Sequence, residues 1–590
     1  MTDPAPVPRY RVAFVPLDKL ATCGADETLL ACTRSIGLEI AGPCGGQGTC
    51  HGCQIKVLQG EIANGQAGEE WQLACRIKPR SDLVVELSAR SLATPERTDV
   101  PGFDVAVPVE PVVHGMAVEM TAPTIDDCRA DAQRLKDALR MKGAHLERVP
   151  LPMLVALADI LRRQNWRGTA VLGDDGTLTA FLPSGAPIIG LAVDLGTTNV
   201  AAYLMDLRDG RRLAGAGLEN LQRAYGADVI TRLTYAVRTA NGRAELARAA
   251  RHTIRMLIDT LCQSAGVLPS GIADVTVCGN TAMQHLLLGL PVKQLGAAPF
   301  VAAGADAMEV AAHELDLPVA PAARVWLFPG IGGYVGGDHV ADLLATQSLQ
   351  TGDISLVIDI GTNTEISVLR DETIHCVSTP SGPALEGSQI SSGMRAADGA
   401  IEGVREDGRG GFLVTTIGKV EPVGVCGSGV LDSIAAMLRS GAIDRHGRIG
   451  TSHPAAIGWF GRKAVRLAPK VVLTQDDIRA VQLAKGAIRA GIDVLLASAG
   501  LTEDRIDRVI VAGAFGTFID IESAMEIGML PRLPPQRFAQ VGNSAGLGAR
   551  LALLSRRMRA EAVAMTRRCR YIELSTQSGF QTALMRRLHF

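Results

Sequence analysis

The chain has 590 residues, of which 47% are hydrophobic and 20% are charged, and its formal net charge is −2. A chain of this length exceeds what one hydrophobic core supports, so three or more domains are expected. The near-zero charge gives no reason to expect nucleic acid as a partner. No apolar run reaches the ~18 residues that a membrane-spanning helix needs. The first ten residues lack the charged and apolar regions of an export signal, which favours a cytoplasmic protein.

A glycine-rich loop near the N-terminus carries Cys44, Cys50 and Cys53, and Cys75 follows after 21 intervening residues. Thiolates at these spacings are typical ligands of a [2Fe-2S] cluster. The glycines between them supply the backbone conformations that turn N–H groups toward the cluster sulfides. A tetrahedral zinc site usually uses two short cysteine pairs, and here only Cys50 and Cys53 form one. The loop therefore predicts one-electron chemistry, with zinc or free thiols as the alternatives.

The elements around this loop resemble those of a ferredoxin. The pattern predicts a short helix from Thr28, as its N-cap, to Gly37 before the loop. An alternating strand through Ile55 and Val57, with a turn at Gly60, is predicted after it. This order is similar to that of plant-type and adrenodoxin-type ferredoxins, and the five-residue gap resembles the latter. The resemblance implies a β-grasp domain over residues 1–90 whose metal ligands are the four cysteines.

The next part of the chain is predicted to form a linker and a small α/β domain. Residues 91–115 are rich in Pro, Val and Asp without a helical period, which is typical of a linker. The pattern predicts two helices and a hairpin over residues 116–187. These elements are a helix from Ile125 to Lys142 with Thr124 as N-cap, a helix from Leu151 to Gln164, and strands from Thr169 to Leu172 and from Leu178 to Leu182. No catalytic constellation is evident in this middle domain.

From residue 188 onward strands and helices alternate, and one pattern occurs twice. An apolar strand ends in Asp194-Leu-Gly-Thr, and 165 residues later another ends in Asp359-Ile-Gly-Thr. Such a tight turn presents backbone amides to a phosphate. Its aspartate can hold the waters around Mg²⁺, which keeps much of its hydration shell. Two such turns, at the start of two similar halves, predict one phosphate-binding cleft.

The predicted phosphate-binding residues extend through both turns. They are Gly196, Thr197, Thr198, Asn199, Gly361, Thr362 and Asn363. Asn199, Asn363 and the nearby Glu365 either bond phosphate or stabilise the loops. A P-loop and a dinucleotide-binding fingerprint are both absent from the sequence.

The repeated turns resemble the two phosphate loops of the actin, sugar kinase and heat-shock ATPase superfamily. The segment from Pro329 to Asp338 resembles the connection between the halves, and Val511-Ala-Gly513-Ala-Phe-Gly516 resembles the adenosine loop. The stretch that begins at Val541 resembles the second connecting helix. The resemblance implies a duplicated actin-like, ribonuclease H-like ATPase domain over residues 188–590, with halves at 188–350 and 351–590. It also implies bound ATP and Mg²⁺, with Gly513 and Gly516 at the adenosine.

Taken together, the ferredoxin-like, linker, middle and ATPase regions resemble the reductive activators of corrinoid proteins over essentially the whole chain. The resemblance implies a multidomain protein of α/β and α+β class. It also implies ATP-dependent transfer of one electron from the cluster, converting Co(II) to Co(I) in a corrinoid protein or a cobalamin-dependent methyltransferase. An upstream reductase or another low-potential donor would then reload the cluster. The oligomeric state stays open, with a homodimer among the expected arrangements.

Asp194, Asp338 and Asp359 are the candidate catalytic residues. Asp338 precedes the second turn, in a segment that lines the cleft in this superfamily, and is the candidate for positioning the attacking water. The alternative is that Asp338 caps a helix after two glycines. Three other functions stay open: a small-molecule kinase with a fused ferredoxin, an electron carrier with a degenerate nucleotide site, and an activator of another low-potential metalloenzyme.

Overall fold

The computed structural model describes residues 8–15, 19–36, 40, 53–63, 68, 71–87, 105–350, 352–387, 390–513, 515–577 and 579–590. Strands in these ranges form six sheets. No helix in the described ranges is long and apolar enough to cross a bilayer.

The N-terminal region is one five-stranded sheet with a short helix. Its elements are β1 (Arg9–Val15), β2 (Lys19–Gly24), α1 (Leu29–Ser35), β3 (Gln54–Gln59), β4 (Gln72–Leu73) and β5 (Leu83–Leu87). The strand order is β2-β1-β5-β3-β4, with β1 and β5 parallel and the other pairs antiparallel. Thr28 caps α1 as predicted, since its hydroxyl accepts a hydrogen bond from the Ala31 N–H at 3.3 Å. This topology confirms the β-grasp prediction.

The next region is an antiparallel sheet, β6-β7-β8, with two helices. Its elements are β6 (Val113–Glu119), α2 (Asp131–Met141), α3 (Leu151–Arg163), β7 (Arg167–Gly173) and β8 (Leu178–Leu182). The predicted hairpin and second helix are confirmed. The predicted start of the first helix, at Thr124, is wrong by six residues. The guanidinium of Arg134 donates to the carboxylate and the carbonyl of Asp127, at 2.6 and 2.9 Å, and holds residues 124–128 in a separate turn.

The first half of the C-terminal region is a six-stranded sheet in the order β11-β10-β9-β12-β14-β13. Its elements are β9 (Ile189–Leu195), β10 (Asn199–Asp206), β11 (Arg212–Glu219), α4 (Val229–Arg238), α5 (Gly242–Ala265), β12 (Ile272–Cys278), α6 (Thr281–Leu288), β13 (Met308–Ala311), β14 (Arg324–Leu327) and α7 (Gly337–Ala345). Its central strands are almost wholly apolar because both faces are covered.

The second half is a six-stranded sheet in the order β25-β24-β15-β16-β17-β26. Two three-stranded sheets, β19-β18-β20 and β21-β22-β23, are inserted after β17. The elements are β15 (Ile354–Ile360), β16 (Thr364–Arg370), β17 (Thr373–Thr379), β18 (Ala400–Glu406), β19 (Phe412–Thr416), β20 (Gly424–Val425), α8 (Gly427–Arg439), β21 (Ala456–Trp459), β22 (Arg462–Ala468), β23 (Val471–Thr474), α9 (Gln475–Ser498), β24 (Arg508–Ala512), α10 (Ile521–Glu526), β25 (Phe538–Gly542), α11 (Ser544–Leu554), α12 (Arg556–Arg568), β26 (Cys569–Tyr571) and α13 (Phe580–Arg587).

The two halves repeat one topology. In each half the first strand pairs antiparallel with the second, and the second pairs antiparallel with the third. Two later strands then extend the sheet in parallel on the other side of the first. This repetition confirms the predicted duplicated, ribonuclease H-like fold. Helix α11 returns to the first half, where the Thr276 hydroxyl on β12 donates to the Ala549 carbonyl at 2.9 Å.

Candidate functional site

The two repeated turns meet at a cleft between the halves. The hydroxyl oxygens of Thr198 and Thr362 lie 2.8 Å apart, although 164 positions separate them in the chain. A cavity of about 280 Å³ opens beside this contact. It is lined by eleven of the twelve residues predicted for catalysis and nucleotide binding. These are Asp194, Gly196, Thr197, Thr198, Asn199, Asp338, Asp359, Gly361, Thr362, Asn363 and Gly513.

Gly516 is the predicted residue that does not line this cavity. It is buried at the start of a short helical turn after β24, and its carbonyl accepts a hydrogen bond from the Gln540 side chain at 2.7 Å. Phe515 and Phe518, on either side of it, do line the cavity. Their aromatic rings give this end of the cleft apolar surface.

Three aspartates converge at the inner end of the cleft. Asp194 lies at the end of β9, Asp359 at the end of β15, and Asp338 in the first turn of α7. All three face the cavity, and the surrounding protein removes most of their solvent. Desolvation, strengthened by the charge of Asp359, raises the pKa of Asp194 to about 7 and that of Asp338 to about 8. Desolvation also raises the pKa of Asp359 itself to about 6.

A fourth carboxylate, Asp342, lies one turn after Asp338 on α7 and was not predicted. It is fully buried, and its pKa is held well above the usual range by burial and by the charge of the nearby Asp359. Because Asp342 follows Asp338 by four residues, helical periodicity could have placed both on one face. Carboxylates that repel one another are relieved by a divalent cation, and their oxygens are the ligands that Mg²⁺ prefers. Since no three such groups in the described ranges could ligate a metal ion directly, the carboxylates present fit a magnesium ion held through its waters.

Hydrogen bonds from α11 hold two of these carboxylates in place. Asn543, which caps α11, donates to Asp194 at 2.9 Å and accepts from the Gly546 N–H at 2.7 Å. The hydroxyl of Ser544 donates to Asp342 at 2.5 Å. The return of α11 to the first half thus orients both acidic groups.

Asp338 is not a helix cap. The N-cap of α7 is Gly336, and Asp338 lies inside the first turn, where its carboxylate accepts a hydrogen bond from the His339 N–H at 2.8 Å. The N-cap alternative is therefore wrong. The carboxylate lies in the cleft, among the other aspartates.

The first turn is held by side chains from α4, from the N-cap of α6 and from the segment directly after β11. Asn280, the N-cap of α6, donates to the Thr197 hydroxyl at 2.9 Å. The buried guanidinium of Arg232 donates to the Thr197 carbonyl at 2.5 Å, and Asn220 donates to the Gly196 carbonyl at 2.8 Å. These bonds explain why a loop between two strands keeps a fixed shape.

The second turn is held by residues of the two strands that follow it and of the segment after them. The hydroxyl of Ser381, just after β17, donates to the Gly361 carbonyl at 2.9 Å and contacts the Thr364 hydroxyl at 2.8 Å. Glu365, on β16, is buried and accepts a hydrogen bond from Ser378 at 3.0 Å. Burial and the charges of Asp338 and Asp359 hold its pKa well above the usual range.

Gly513 allows the predicted adenosine loop to lie against the second turn. Its φ is 91°, in the left-handed region that favours glycine. A Cβ added there would lie 2.4 Å from the Ile360 carbonyl oxygen and 2.7 Å from an Asp359 carboxylate oxygen. The close approach of this backbone to the aspartates therefore requires glycine.

Two charged residues of the second half reach the cleft without having been predicted. Glu386 accepts hydrogen bonds from Thr362 at 2.5 Å and from Thr198 at 3.1 Å. Arg395 pairs with Glu219 of the first half at 2.6 Å, and Glu219 also pairs with Arg223 at 2.6 Å. Both residues come from the segment between β17 and β18, which carries no recognised motif. A proline and glycines around Glu386 were the only local signal of an ordered turn.

Two of the four predicted cluster ligands lie in the described ranges. Cys53, before β3, and Cys75, after β4, are both buried. The Ala74 N–H donates to the Cys53 carbonyl at 2.8 Å, so the two cysteine segments are adjacent. Cys44 and Cys50 lie outside the described residues. Buried cysteine thiols on two adjacent segments of a β-grasp domain are donors of the type that a [2Fe-2S] cluster uses, and so the residues present fit that group.

Four family models match successive parts of the chain. A 2Fe-2S iron-sulfur cluster binding domain matches residues 16–80, and the RACo linker region matches 104–185. The RACo middle region matches 189–351, and the C-terminal domain of RACo, the ASKHA domain, matches 353–590. The chain thus carries a [2Fe-2S] cluster-binding domain and an ATP-binding domain.

Full-length relatives agree with this assignment. The corrinoid activation enzyme RamQ of Eubacterium limosum is 31% identical, over 98% of both chains. The [Co(II) methylated amine-specific corrinoid protein] reductase of Methanosarcina barkeri is 26% identical, over 62% of this chain and 70% of its own. The solved structure of a reductive activator for a corrinoid, iron-sulfur protein is 33% identical, covers 98% of both chains and superposes with a TM-score of 0.73. The chain therefore belongs to the family of reductive activators of corrinoid proteins.

Proposed function

We propose that this protein uses ATP to drive one electron from its [2Fe-2S] cluster to a corrinoid protein, converting Co(II) to Co(I). The observation that carries the proposal is the meeting of two phosphate turns in one cleft, on a chain that also binds a [2Fe-2S] cluster. A cluster and a nucleotide site on one chain are best explained if nucleotide binding drives the electron transfer. Support comes from the relatives that match over the full length, which are named as a corrinoid activation enzyme and as a reductive activator for a corrinoid, iron-sulfur protein.

The energetics explain why ATP is needed. Clusters of the plant ferredoxin type have potentials near −400 mV. For a one-electron step, each ~59 mV by which the acceptor potential lies lower costs a factor of ten in the equilibrium constant. A cluster alone would therefore leave most of a low-potential corrinoid oxidised. ATP can shift the balance only if the ATP-bound activator distinguishes the Co(II) protein from the Co(I) protein by binding energy.

The cleft supplies residues for each part of the nucleotide. We assign Mg²⁺, through its waters, to Asp194 and Asp359, with Asp338 near them. We assign the phosphates to the two turns, through residues 196–199 and 361–363. We assign the adenosine to the segment that begins at Gly513, where Gly513, Phe515 and Phe518 line the cavity and Gly516 lies behind them. Mg²⁺ would neutralise charge that develops on the phosphates. In the observed cleft the hydroxyls of Thr198 and Thr362 bond each other, so phosphate binding has to separate them.

This separation would couple the nucleotide to the partner. Thr198 belongs to the first half and Thr362 to the second, so a phosphate between them changes the relative position of the halves. The ion pair of Arg395 with Glu219 also crosses the cleft and would respond to the same movement. We propose that this movement alters the surface that meets the corrinoid protein. An upstream reductase, a homodimer and a cytoplasmic setting stay predictions.

The test is anaerobic reduction of a Co(II) corrinoid protein by the reduced activator, with and without Mg-ATP, followed in the corrinoid spectrum. We expect Co(I) only with ATP, and none with Cys53→Ser or Asp359→Ala. Cys128→Ser and Asp126→Ala, at exposed positions, are the matched controls and should behave as wild type. Co(I) formation independent of ATP would contradict the coupling. Absence of Co(I) despite a reducible cluster and ATP hydrolysis would favour another low-potential metalloenzyme as acceptor.

A further inference from the structure

Glu386 is the carboxylate that touches both phosphate turns. It ends a short helical turn (Pro383–Glu386) that follows β17. One carboxylate oxygen accepts from the Thr362 hydroxyl at 2.5 Å, and the other accepts from the Thr198 hydroxyl at 3.1 Å. Glu386 thus lies directly against the two hydroxyls to which the proposed function assigns phosphate.

Packing fixes the position of this carboxylate. The neighbouring Leu385 is fully buried in the core of the second half. Its carbonyl lies against Gly427 at the start of α8, where an added Cβ would lie 2.0 Å from the Leu385 oxygen. Glu386 is therefore presented by a tightly packed turn and not by a loose side chain at the cleft rim.

Glu386 is separate from the aspartates. Those carboxylates act on one another: the charges of Asp359 and Asp194 both raise the pKa of Asp338. Asp338 consequently belongs to the group that a divalent cation would neutralise. Glu386 contacts the turns instead through hydrogen bonds to two hydroxyls.

Counting protons shows that Glu386 has acceptor capacity left. The three side chains make three mutual contacts, namely Thr198 with Thr362 and each of them with one carboxylate oxygen of Glu386. Two hydroxyls supply only two protons, whereas an ionised carboxylate has about four lone-pair positions. Some of these positions stay available for a further donor, and a water molecule at the phosphate turns is such a donor.

We propose that Glu386, and not Asp338, holds and deprotonates the water that attacks the terminal phosphate of ATP. The inference rests on the proposed function, because ATP is the substrate. The water oxygen bonds to the γ phosphorus while the bond from that phosphorus to the β–γ bridging oxygen breaks, and the electron pair leaves with ADP. One water proton passes to Glu386 and then to solvent, and the other stays on inorganic phosphate.

The test separates ATP binding from ATP hydrolysis. Equilibrium binding of ATP in the presence of Mg²⁺ and release of inorganic phosphate would be measured for wild type, Glu386→Gln and Asp338→Asn. We expect Glu386→Gln to bind ATP within threefold of wild type and to hydrolyse it about 100-fold more slowly or worse, as for loss of a general base. Asp338→Asn should instead raise the Mg²⁺ concentration needed for ATP binding. Glu372→Gln, at a side chain that is 91% exposed, is the matched control and should match wild type in both assays.

Several results would overturn the inference. The first is that Glu386→Gln hydrolyses ATP within threefold of the wild-type rate. The second is that it loses ATP binding although its cluster spectrum and melting temperature are unchanged. The third is that Asp338→Asn, and not Glu386→Gln, binds ATP normally but fails to hydrolyse it. If Glu386→Gln does not fold, Glu386→Asp is measured in the same two assays. It keeps the carboxylate but shortens the side chain by one methylene, so it should also bind ATP and hydrolyse it slowly. Wild-type protein that neither binds nor hydrolyses ATP would contradict the proposed function itself. The two failures are therefore distinguishable.

Discussion

The two halves of the ATP-binding region have the same strand order but hold their phosphate turns differently. In the first half, Asn220 reaches the turn from the segment directly after the third strand, and Arg232 of α4 and the α6 cap Asn280 reach it from elsewhere in the fold. In the second half, Ser381 comes from the segment directly after the third strand. Each turn is therefore held by the segment after the third strand of its half, and the first turn has two further supports, from Arg232 and Asn280.

The same segment gives the second half its additional chemistry. It carries Glu386 to the two turns and Arg395 across the cleft to Glu219. The corresponding stretch of the first half, after β11, contributes Arg223, which pairs with Glu219 inside its own half. Duplication thus supplies two similar phosphate turns, and divergence of one connecting segment supplies the group proposed to act on water.

The largest expected effect comes from removing either turn aspartate. Asp359→Asn and Asp194→Asn should each lower ATP hydrolysis by about 100-fold or more, because each loses a charge that would hold the magnesium waters. They should differ in stability. The charge of Asp359 raises the pKa of Asp194, Asp338, Asp342 and Glu365, so Asp359→Asn relieves more repulsion. Denaturant unfolding without Mg²⁺ at pH 8 should show Asp359→Asn to be the more stable variant, and the reverse order would contradict this difference between the halves.

Stability should fall as pH rises while the cleft holds no Mg²⁺. The carboxyls of Asp194, Asp338 and Asp359 have an ordinary pKa of 3.8, raised to about 7, 8 and 6 in the folded protein. Between pH 4 and 8 the folded state therefore binds more protons than the unfolded state, and the free energy of unfolding decreases with pH. Each titrating carboxyl contributes a slope of up to about 1.4 kcal/mol per pH unit.

Added Mg-ATP should reverse this dependence. Mg²⁺ requires the ionised carboxylates, so its binding releases protons and strengthens as pH rises. Thermal unfolding at pH 6.0, 7.0 and 8.0, with and without Mg-ATP, measures both trends. A stabilisation by Mg-ATP that stays constant with pH would mean that these aspartates do not respond to the ion.

A smaller effect is expected at the adenosine loop. Gly513→Ala should destabilise the protein by about 1–3 kcal/mol, because alanine is strained at a φ of 91° and its Cβ would meet the second turn. Gly516→Ala, whose Cβ would lie 3.0 Å from a Val511 methyl carbon, should cost less. Chemical denaturation gives both values. ATP binding should also weaken in Gly513→Ala, since Asp359 lies beside the added methyl group.

What the sequence predicted follows from local pattern. The ferredoxin-like order, the two Asp-x-Gly-Thr turns and the hairpin of the middle region each depend on residues close together in the chain. Their strands and turns carry their own hydrophobic period and turn chemistry. The cleft could be predicted because two similar turns imply two similar halves that face each other. The structure agrees, since it places Thr198 against Thr362.

What the sequence did not predict depends on long-range contacts. The start of α2 is set by the hydrogen bonds of Arg134 to Asp127. The helical spacing of apolar residues gives no indication of these bonds. Glu386 and Arg395 lie in a segment whose residue types are unremarkable, and only the folded chain brings them to the turns. The inserted sheets, β18–β20 and β21–β23, lie between the third and fourth strands of the second half. The sequence repeat therefore does not indicate how long the connection between those strands is.

The smallest expected effect contrasts the supports of the two turns directly. Arg232→Met removes a fully buried guanidinium and leaves the carbonyls of Thr197 and Gly226 without that donor, which should cost about 1–3 kcal/mol of unfolding free energy. Ser381→Ala removes one hydroxyl near the second turn and should cost about 1 kcal/mol. Denaturant unfolding measures both costs, and ATP binding shows which turn is disturbed. A larger loss of unfolding free energy in Ser381→Ala than in Arg232→Met would mean that the second turn is anchored at least as firmly as the first. It would also contradict a movement of the two halves that begins at the second turn.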